Sequence, residues 1–121
     1  MATGRQNSAL GAYGERVAAR HLVDEGLVVL DRNWRCDAGE IDLVLRDGDV
    51  LVFCEVKTRS GTAYGHPLEA VDAVKTERLV RLGDRWREEH DVAVTDVRFD
   101  VVAVLRSTRG AAEVEHVRGL G

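Results

Sequence analysis

A glutamate and a lysine close an otherwise apolar segment, VLVFCEVKTR at residues 50–59. In an extended strand, side chains two residues apart lie on one face, so Glu55 and Lys57 would continue the apolar face of Leu51 and Phe53. A carboxylate can bind a divalent cation, and an ammonium can orient or help deprotonate its bound water and stabilise a charged phosphate. The spacing indicates phosphate chemistry, with a strand that simply emerges into solvent as the alternative.

The preceding residues provide a second carboxylate on this face. The sequence EIDLVLRDGDVLVFCEVK is typical of a hairpin with a tight turn at its Asp-Gly pair. A two-residue turn there predicts these pairs across the hairpin: Arg46 with Asp49, Val44 with Leu51, Asp42 with Phe53, and Glu40 with Glu55. Asp42 would then be a diagonal neighbour of Glu55 on the same face, near enough for both carboxylates to bind one cation.

Two helical residues are also predicted to face the sheet. Glu15 shares a helix face with Ala18, Ala19 and Leu22. Lys75 lies near the centre of an apolar stripe formed by Val71, Leu79, Leu82 and Trp86. Of the 17 basic residues, Lys57 and Lys75 are the only lysines, and both are predicted to point inward. An ion pair at the sheet margin remains the alternative for Glu15, and an outward-reaching side chain remains the alternative for Lys75.

The elements that position these residues follow from hydrophobic periodicity and from turn residues. Together they predict an α/β fold with a mixed sheet of four to five strands and two flanking helices, in the order α-β-β-β-α-β-β. The predicted elements are a helix capped by Ser8 that ends near Glu25 before Gly26, a strand from Leu27 to Arg32, a connection WRCDAG, strands from Ile41 to Arg46 and from Val50 to Lys57, a helix from Pro67 to about Glu89, a strand from Val97 to Leu105, and an edge strand from Glu113 to Val117.

Composition sets wider limits on the class of protein. The 121 residues suit one domain, with residues 1–7 expected to be flexible. The sequence shows neither an apolar run long enough for a membrane span nor the pattern of a secretion signal, so we expect a cytoplasmic protein. In that compartment Cys36 and Cys54 are expected to be free thiols. The net charge of −4 is unlike that of a typical nucleic-acid binder, but it leaves room for a local basic surface.

Arg98 and Asp100 share a strand face, and we interpret them as a structural ion pair in preference to catalytic groups.

Five segments in order resemble the YraN-like family of small bacterial proteins. They are GAYGERVAARHL, RNWRCDAGEIDLV, LVFCEVKTR, YGHPLEAV with the following Lys75, and RFDVVAV. That family is placed in the PD-(D/E)-x-K nuclease superfamily, which has a restriction-endonuclease-like core and includes the archaeal Holliday junction resolvases. The resemblance extends from about Gly11 to Leu105. The superfamily's Pro has no counterpart, because Ile41 precedes Asp42.

The resemblance implies a Mg²⁺- or Mn²⁺-dependent endonuclease that acts on nucleic acid, most simply DNA and including branched DNA. The metal ligands would be Asp42, Glu55 and the carbonyl of Val56, with Lys57 as the motif lysine and Glu15 as the helix acid. The residues themselves suggest auxiliary roles for Lys75 and for Glu40, with a solvated strand start as the alternative for Glu40. Arg35, Arg59 and Tyr64 are the predicted nucleic-acid contacts, with a rim or core role as the alternative for Arg35 and Tyr64. Related resolvases form homodimers, although no interface stripe is readable here. The alternatives are a non-catalytic nucleic-acid-binding or assembly module, and a purely structural domain.

Overall fold

The computed structural model describes residues 9–60, 73–107 and 109–120, with the backbone alone for residues 73–75. Its seven elements follow the predicted order and confirm the α/β class with a mixed sheet and two helices. They are α1 (Ala9–Asp24), β1 (Val28–Cys36), β2 (Gly39–Asp47), β3 (Val50–Arg59), α2 (Ala73–Glu89), β4 (Asp96–Leu105) and β5 (Glu113–Val117).

The five strands form one sheet in the order β1-β2-β3-β4-β5. Strands β3 and β4 are parallel, and the other neighbouring pairs are antiparallel. A parallel pair needs a crossover connection, and α2 lies in the connection between β3 and β4. The sheet is therefore mixed, and its central strand β3 carries the segment VLVFCEVKTR.

Each helix covers one face of the sheet. The α1 side buries Ala18, Ala19, Leu22, Leu27, Leu43, Leu45, Val52, Cys54, Val56, Val102 and Val104. The α2 side buries Ile41, Val44, Leu51, Phe53, Leu79, Leu82 and Trp86. Alternate residues of β3 thus enter different layers, which confirms the predicted division of its two faces. Burial on both sides explains why β3 begins as an uninterrupted apolar run.

Glycines allow both helices to lie close against the strands. A Cβ on Gly14 of α1 would lie 2.8 Å from the Cβ of Thr58 in β3. A Cβ on Gly83 of α2 would lie 2.9 Å from ring atoms of Phe53 and 3.1 Å from Phe99. Both distances are shorter than side-chain carbon atoms tolerate, so any larger residue would push its helix away from the sheet.

The structure corrects the predicted first strand. β1 extends through Trp34 and Arg35 to Cys36, where the sequence analysis placed an irregular connection. A tight turn at residues 37–38 then joins β1 to β2, with Cys36 paired to Gly39. The missed part of the strand begins at Asn33, whose φ of +51° is unusual for a strand and is not signalled by the alternation of apolar and polar residues.

The predicted register of the β2–β3 hairpin is wrong by two residues. The structure pairs Asp47 with Val50 and Arg46 with Leu51, so Arg46 does not pair with Asp49 and Asp42 does not pair with Phe53. Consistently, Val44 pairs with Phe53 instead of Leu51, and Glu40 is not opposite Glu55. The turn residues are Gly48 and Asp49, and Gly48 has φ = +61°. This is the glycine position of a type II′ turn, whereas the prediction placed glycine second.

Several predictions lie outside the described residues. They concern residues 1–7, the Ser8 cap, Tyr64, Pro67, Val71 and the side chain of Lys75.

The end of α1 is described, and Gly26 has φ = +100°. The Leu27 amide donates to the Leu22 carbonyl at 3.0 Å and the Gly26 amide to the Val23 carbonyl at 2.9 Å, which form the predicted glycine stop. Over the described residues, neither helix is both long and apolar enough to span a bilayer.

Candidate functional site

The paired region of β2 and β3 stops at Leu43 and Cys54, and the next residues along the two strands are Asp42 and Glu55. Asp42 is fully buried. Its Oδ2 accepts a hydrogen bond of 2.7 Å from the backbone N–H of Val56. With the observed register continued, Ile41 would face Val56 in the ladder, so a side-chain carboxylate takes the place of a backbone acceptor where the two strands separate.

A local reversal in β2 directs Asp42 into this gap. Leu43 packs in the α1 layer, but Ile41, two residues earlier, packs in the α2 layer. Regular alternation would place both residues on one face. On the neighbouring strand Asn33 has φ = +51°, a conformation that Asn tolerates better than most residues. The β1–β2 pairs on either side of Asn33 and Asp42 are intact, so the irregularity is confined to this step.

Three carboxylates converge at this step. Glu15 of α1 and Glu40 and Asp42 of β2 each place one oxygen within 4.8 Å of the others. Asp42 is buried, and the other two are half-buried. Sequence analysis assigned Glu15 and Asp42 to the site and gave Glu40 an auxiliary role. The structure brings these three together, with Glu40 as close as the two residues that the resemblance assigned to catalysis.

Close packing of α1 on β3 explains how Glu15 reaches the strands. The preceding residue, Gly14, contacts Thr58 without an intervening side chain. Ala18, Ala19 and Leu22 are buried beneath α1, which confirms the predicted helix face. With its amide nitrogen turned towards Glu15, Asn33 donates hydrogen bonds to both carboxylate oxygens at 3.0 and 3.2 Å. This orientation follows from hydrogen bonding, and it uses a residue that sequence analysis missed.

The remaining charges of the site form ion pairs. Glu55 Oε1 lies 3.1 Å from Lys57 Nζ, and the two side chains are 23% and 15% exposed. Among the described residues, the group of three carboxylates does not include Glu55. Arg35 Nε lies 3.7 Å from Glu40 Oε2. Arg35, predicted to contact nucleic acid, thus also partly neutralises the acidic group, which lowers the cost of holding three carboxylates together.

Backbone geometry adds a carbonyl oxygen to this set. In a β-strand, the N–H and C=O of one residue point towards the same neighbouring strand. Because the N–H of Val56 points to Asp42, its carbonyl also faces the gap.

Burial raises the pKa of the Cys54 thiol well above its usual range, and carboxylates including those of Asp42 and Glu55 raise it further. Cys54 is fully buried in the α1 layer, and the group of clustered carboxylates among the described residues does not include it.

The donor set fits a hard divalent cation. Carboxylate and carbonyl oxygens are ligands typical of Mg²⁺ and Mn²⁺. Oxygens on opposite sides of Mg²⁺ lie about 4.2 Å apart, which is twice a metal–oxygen distance of about 2.1 Å. The carboxylate oxygens, within 4.8 Å of one another, need only small side-chain movements to reach that spacing. Glu15, Glu40, Asp42 and the Val56 carbonyl could therefore hold such an ion.

A second buried carboxylate belongs to a separate, structural network. Asp100 accepts two hydrogen bonds from Arg98, at 2.9 and 3.0 Å, and one from His116 Nε2 at 2.7 Å. The Gly119 amide donates a fourth at 3.0 Å, and Glu25 contacts His116 Nδ1 at 3.0 Å. Burial would raise the pKa of Asp100, but these hydrogen bonds outweigh burial and lower it. With both oxygens occupied, the geometry supports the predicted structural ion pair of Arg98 and Asp100.

The comparisons with known proteins place the chain in a family. Residues 14–104 match the sequence pattern described as the uncharacterised protein family UPF0102. A UPF0102 protein of Nocardioides sp. is 64% identical over 113 residues, which cover 93% of this chain and 91% of that protein. One from Beutenbergia cavernae is 62% identical over 117 residues, covering 97% and 99%. One from Streptomyces coelicolor is 57% identical over 114 residues, covering 93% and 88%. This chain belongs to the uncharacterised family UPF0102, which confirms the YraN-like membership predicted from its five sequence segments.

Proposed function

We propose that this protein is a metal-dependent nuclease that cleaves phosphodiester bonds of nucleic acid. The observation that carries the proposal is the convergence of Glu15, Glu40 and Asp42 within 4.8 Å, at the gap where β2 leaves β3. Holding three carboxylates together costs electrostatic free energy unless a cation or other positive charge compensates them. Oxygen ligands of this kind favour Mg²⁺ or Mn²⁺.

Each residue of the site has a proposed role. Asp42, Glu15 and Glu40 hold the cation with the Val56 carbonyl. Glu55, next to the gap, is the further ligand implied by the resemblance, and it reaches the ion only by loosening its contact with Lys57. When bound, the metal lowers the pKa of a water molecule and neutralises charge developing on the phosphate.

Lys57 is the motif lysine implied by the resemblance, and it lies beside Glu55. Its ammonium lies 3.1 Å from Glu55 and is only 15% exposed, so its position is restricted. We assign Lys57 to orienting the attacking water and to stabilising the phosphate as it gains charge. Lys75 keeps its proposed auxiliary role on α2, and Arg59 and Tyr64 keep theirs as nucleic-acid contacts.

The second candidate is a non-catalytic nucleic-acid-binding or assembly module. The specific observation in its favour is the Glu55–Lys57 ion pair, in which each charge already satisfies the other. In such a module the ion pair would be structural and would perform no chemistry. It predicts nucleic-acid binding that does not depend on Mg²⁺ or Mn²⁺ and is not followed by cleavage.

Cleavage assays distinguish the two candidates. Labelled single-stranded, duplex and branched DNA, and single-stranded RNA, are incubated with purified protein and Mg²⁺, Mn²⁺ or EDTA. We expect metal-dependent cleavage of at least one substrate, reduced by about 100-fold or more in Lys57→Ala. Arg87→Ala, which removes an exposed charge from α2, serves as the control and should cleave like the wild type. Equal cleavage by the Lys57 variant would refute its role, and cleavage of no substrate would favour the binding module.

A further inference from the structure

Two arginines, the half-buried Arg59 and the exposed Arg106, lie at the carboxyl ends of the parallel strands β3 and β4. The Arg106 amide donates a 2.8 Å hydrogen bond to the Arg59 carbonyl, which joins the two strand ends. The guanidinium of Arg106 lies over the ring of Tyr13, 5.1 Å from its centroid. The arginine ridge, defined here as Arg59 and Arg106 with Tyr13, therefore connects α1, β3 and β4.

The ridge carries positive charge that the described residues do not neutralise. Neither Arg59 nor Arg106 forms an ion pair with a carboxylate anywhere in the described part of the chain. By contrast, Arg35, Arg98 and Arg118 all contact carboxylates. In a chain of net charge −4, two arginines at adjoining strand ends without acidic partners form a local concentration of positive charge. Such a surface attracts an anionic partner.

Both arginines are held in place before any partner arrives. The ring of Tyr13 restrains Arg106, and Arg59 Nη1 donates a 3.0 Å hydrogen bond to the Thr58 carbonyl. Restrained side chains lose less conformational entropy when they bind, and guanidinium groups suit the geometry of phosphate oxygens. Ligands of parallel sheets also commonly bind outside the carboxyl ends of the strands.

The ridge adjoins the proposed site. Lys57 and Arg59 are two residues apart on β3, a rise of about 6.6 Å. A single polyanionic chain could therefore contact the ridge while one of its phosphates lies at Lys57. Among described residues, the exposed large hydrophobics are Val23, Val28 and Leu30, none of which belongs to the ridge. The ridge thus lacks the apolar side chains that anchor proteins in membrane surfaces.

We propose that the arginine ridge binds the phosphate backbone of a polynucleotide strand and directs it to the Lys57 end of β3. The inference rests on the proposed function for its substrate class, but binding can be measured without cleavage. Arg16, three residues after Tyr13 on α1 and exposed, extends the positive surface along the helix. Arg109 extends it beyond β4, where its amide donates to Ser107 Oγ at 3.1 Å.

The test measures binding of fluorescent single-stranded and duplex DNA by anisotropy in EDTA, over a range of salt concentrations. Arg59→Gln/Arg106→Gln should weaken binding about ten-fold or more and reduce the magnitude of the salt slope by roughly 1.4 to 1.8, for two lost phosphate contacts. The matched control, Arg32→Gln/Arg87→Gln, removes two exposed arginines from β1 and α2 with the same change in net charge. It should lose clearly less affinity. Arg59→Lys/Arg106→Lys should keep most of the salt slope, because charge dominates phosphate binding.

Three results would overturn the ridge: equal losses in the two glutamine pairs, no DNA binding by the wild type, or binding to phosphatidylserine vesicles in preference to DNA. The cleavage assay keeps this test separate from the proposed function. Cleavage that depends on Lys57 but not on the ridge arginines would leave the nuclease standing and remove the ridge. Binding through the ridge without metal-dependent cleavage would leave the ridge standing and remove the nuclease.

Discussion

The Asp42 carboxylate accepts a 2.7 Å hydrogen bond from the Val56 amide and thereby fills the position of a backbone acceptor at the point where β2 leaves β3. The bond fixes one carboxylate oxygen against the backbone of the central strand. It also orients the Val56 carbonyl towards the same gap. One side chain therefore both ends the ladder and lies beside the other oxygen atoms of the proposed metal site.

Asp42→Asn tests whether this carboxylate binds metal. The amide oxygen of Asn can still accept from Val56, so we expect the fold to persist while the negative charge is lost. For the wild type, Mn²⁺ at 100 times its dissociation constant should stabilise the fold by about 2.7 kcal/mol, which raises the Tm by roughly 10 °C in a domain of this size. Thermal unfolding with and without Mn²⁺ should show that Asp42→Asn loses this rise.

Glu113→Gln is the matched control for that experiment. It removes one exposed carboxylate from β5 and leaves the three clustered acids intact. Its Tm should respond to Mn²⁺ like that of the wild type. A full Mn²⁺ response in Asp42→Asn would show that the ion binds elsewhere on the protein.

Periodicity was sufficient to predict the architecture. Strand β5 has the predicted bounds, and β3 begins at the predicted residue and divides its side chains between the two layers as expected. These features depend on local alternation and on apolar runs, which the sequence displays directly. The hairpin register depended on which residues occupy the turn, and shifting glycine from the second turn position to the first moved every pair by two residues.

The site could be predicted only in part, because its geometry depends on an irregular step. Parity arguments assume that side chains alternate, yet Ile41 and Leu43 lie in opposite layers. The reversal explains why Glu40 joins Glu15 and Asp42 in the acidic group, while Glu55 is paired with Lys57. The contacts of Asn33 with Glu15 and of His116 with Asp100 join distant parts of the chain, which single-sequence patterns do not report.

Gly14→Ala should destabilise the protein and disturb the site. Alanine in a helix is favoured over glycine by about 1 kcal/mol, so an unobstructed replacement would stabilise α1. Here the added Cβ would lie 2.8 Å from the Thr58 Cβ, and overpacking of this kind costs about 1 to 3 kcal/mol. We therefore expect a lower free energy of unfolding in urea, together with weaker Mn²⁺ binding because Glu15 moves with α1.

Gly83→Ala separates these two effects. Its Cβ would lie 2.9 Å from the Phe53 ring, so it should reduce stability by a comparable amount from the α2 side. Glu15, Glu40 and Asp42 do not lie on that helix, so calorimetry of the folded variant should show Mn²⁺ affinity close to that of the wild type. Stabilisation by Gly14→Ala, or equal losses of Mn²⁺ affinity in the two variants, would contradict the proposed coupling of α1 packing to the site.

The network around His116 should make stability depend on pH. The hydrogen bond to Asp100 raises the pKa of His116 above 6.5 against the effect of burial, and the hydrogen bond to Glu25 adds to the rise. A histidine with a raised pKa stabilises the folded state fully below its unfolded pKa of about 6.5 and loses this contribution as the pH rises through its folded pKa. Other charged or titratable groups facing the network are Arg98, Arg118, Asp47 and His21. We expect the free energy of unfolding to fall as the pH rises above about 6.5.

The acids set the opposite limit, and His116→Gln tests the whole arrangement. The pKa values of Asp100 and Glu25 are lowered from 3.8 and 4.5, so their contributions are present above those values and are lost as the pH falls through the folded values. At pH 5.5 the variant should lose about 1.5 to 3 kcal/mol, because charged hydrogen-bond partners remain behind. Urea unfolding between pH 5 and 9 should show a much smaller loss at the alkaline end. The same deficit at every pH would mean that His116 is neutral in the folded protein and that its contribution is packing alone.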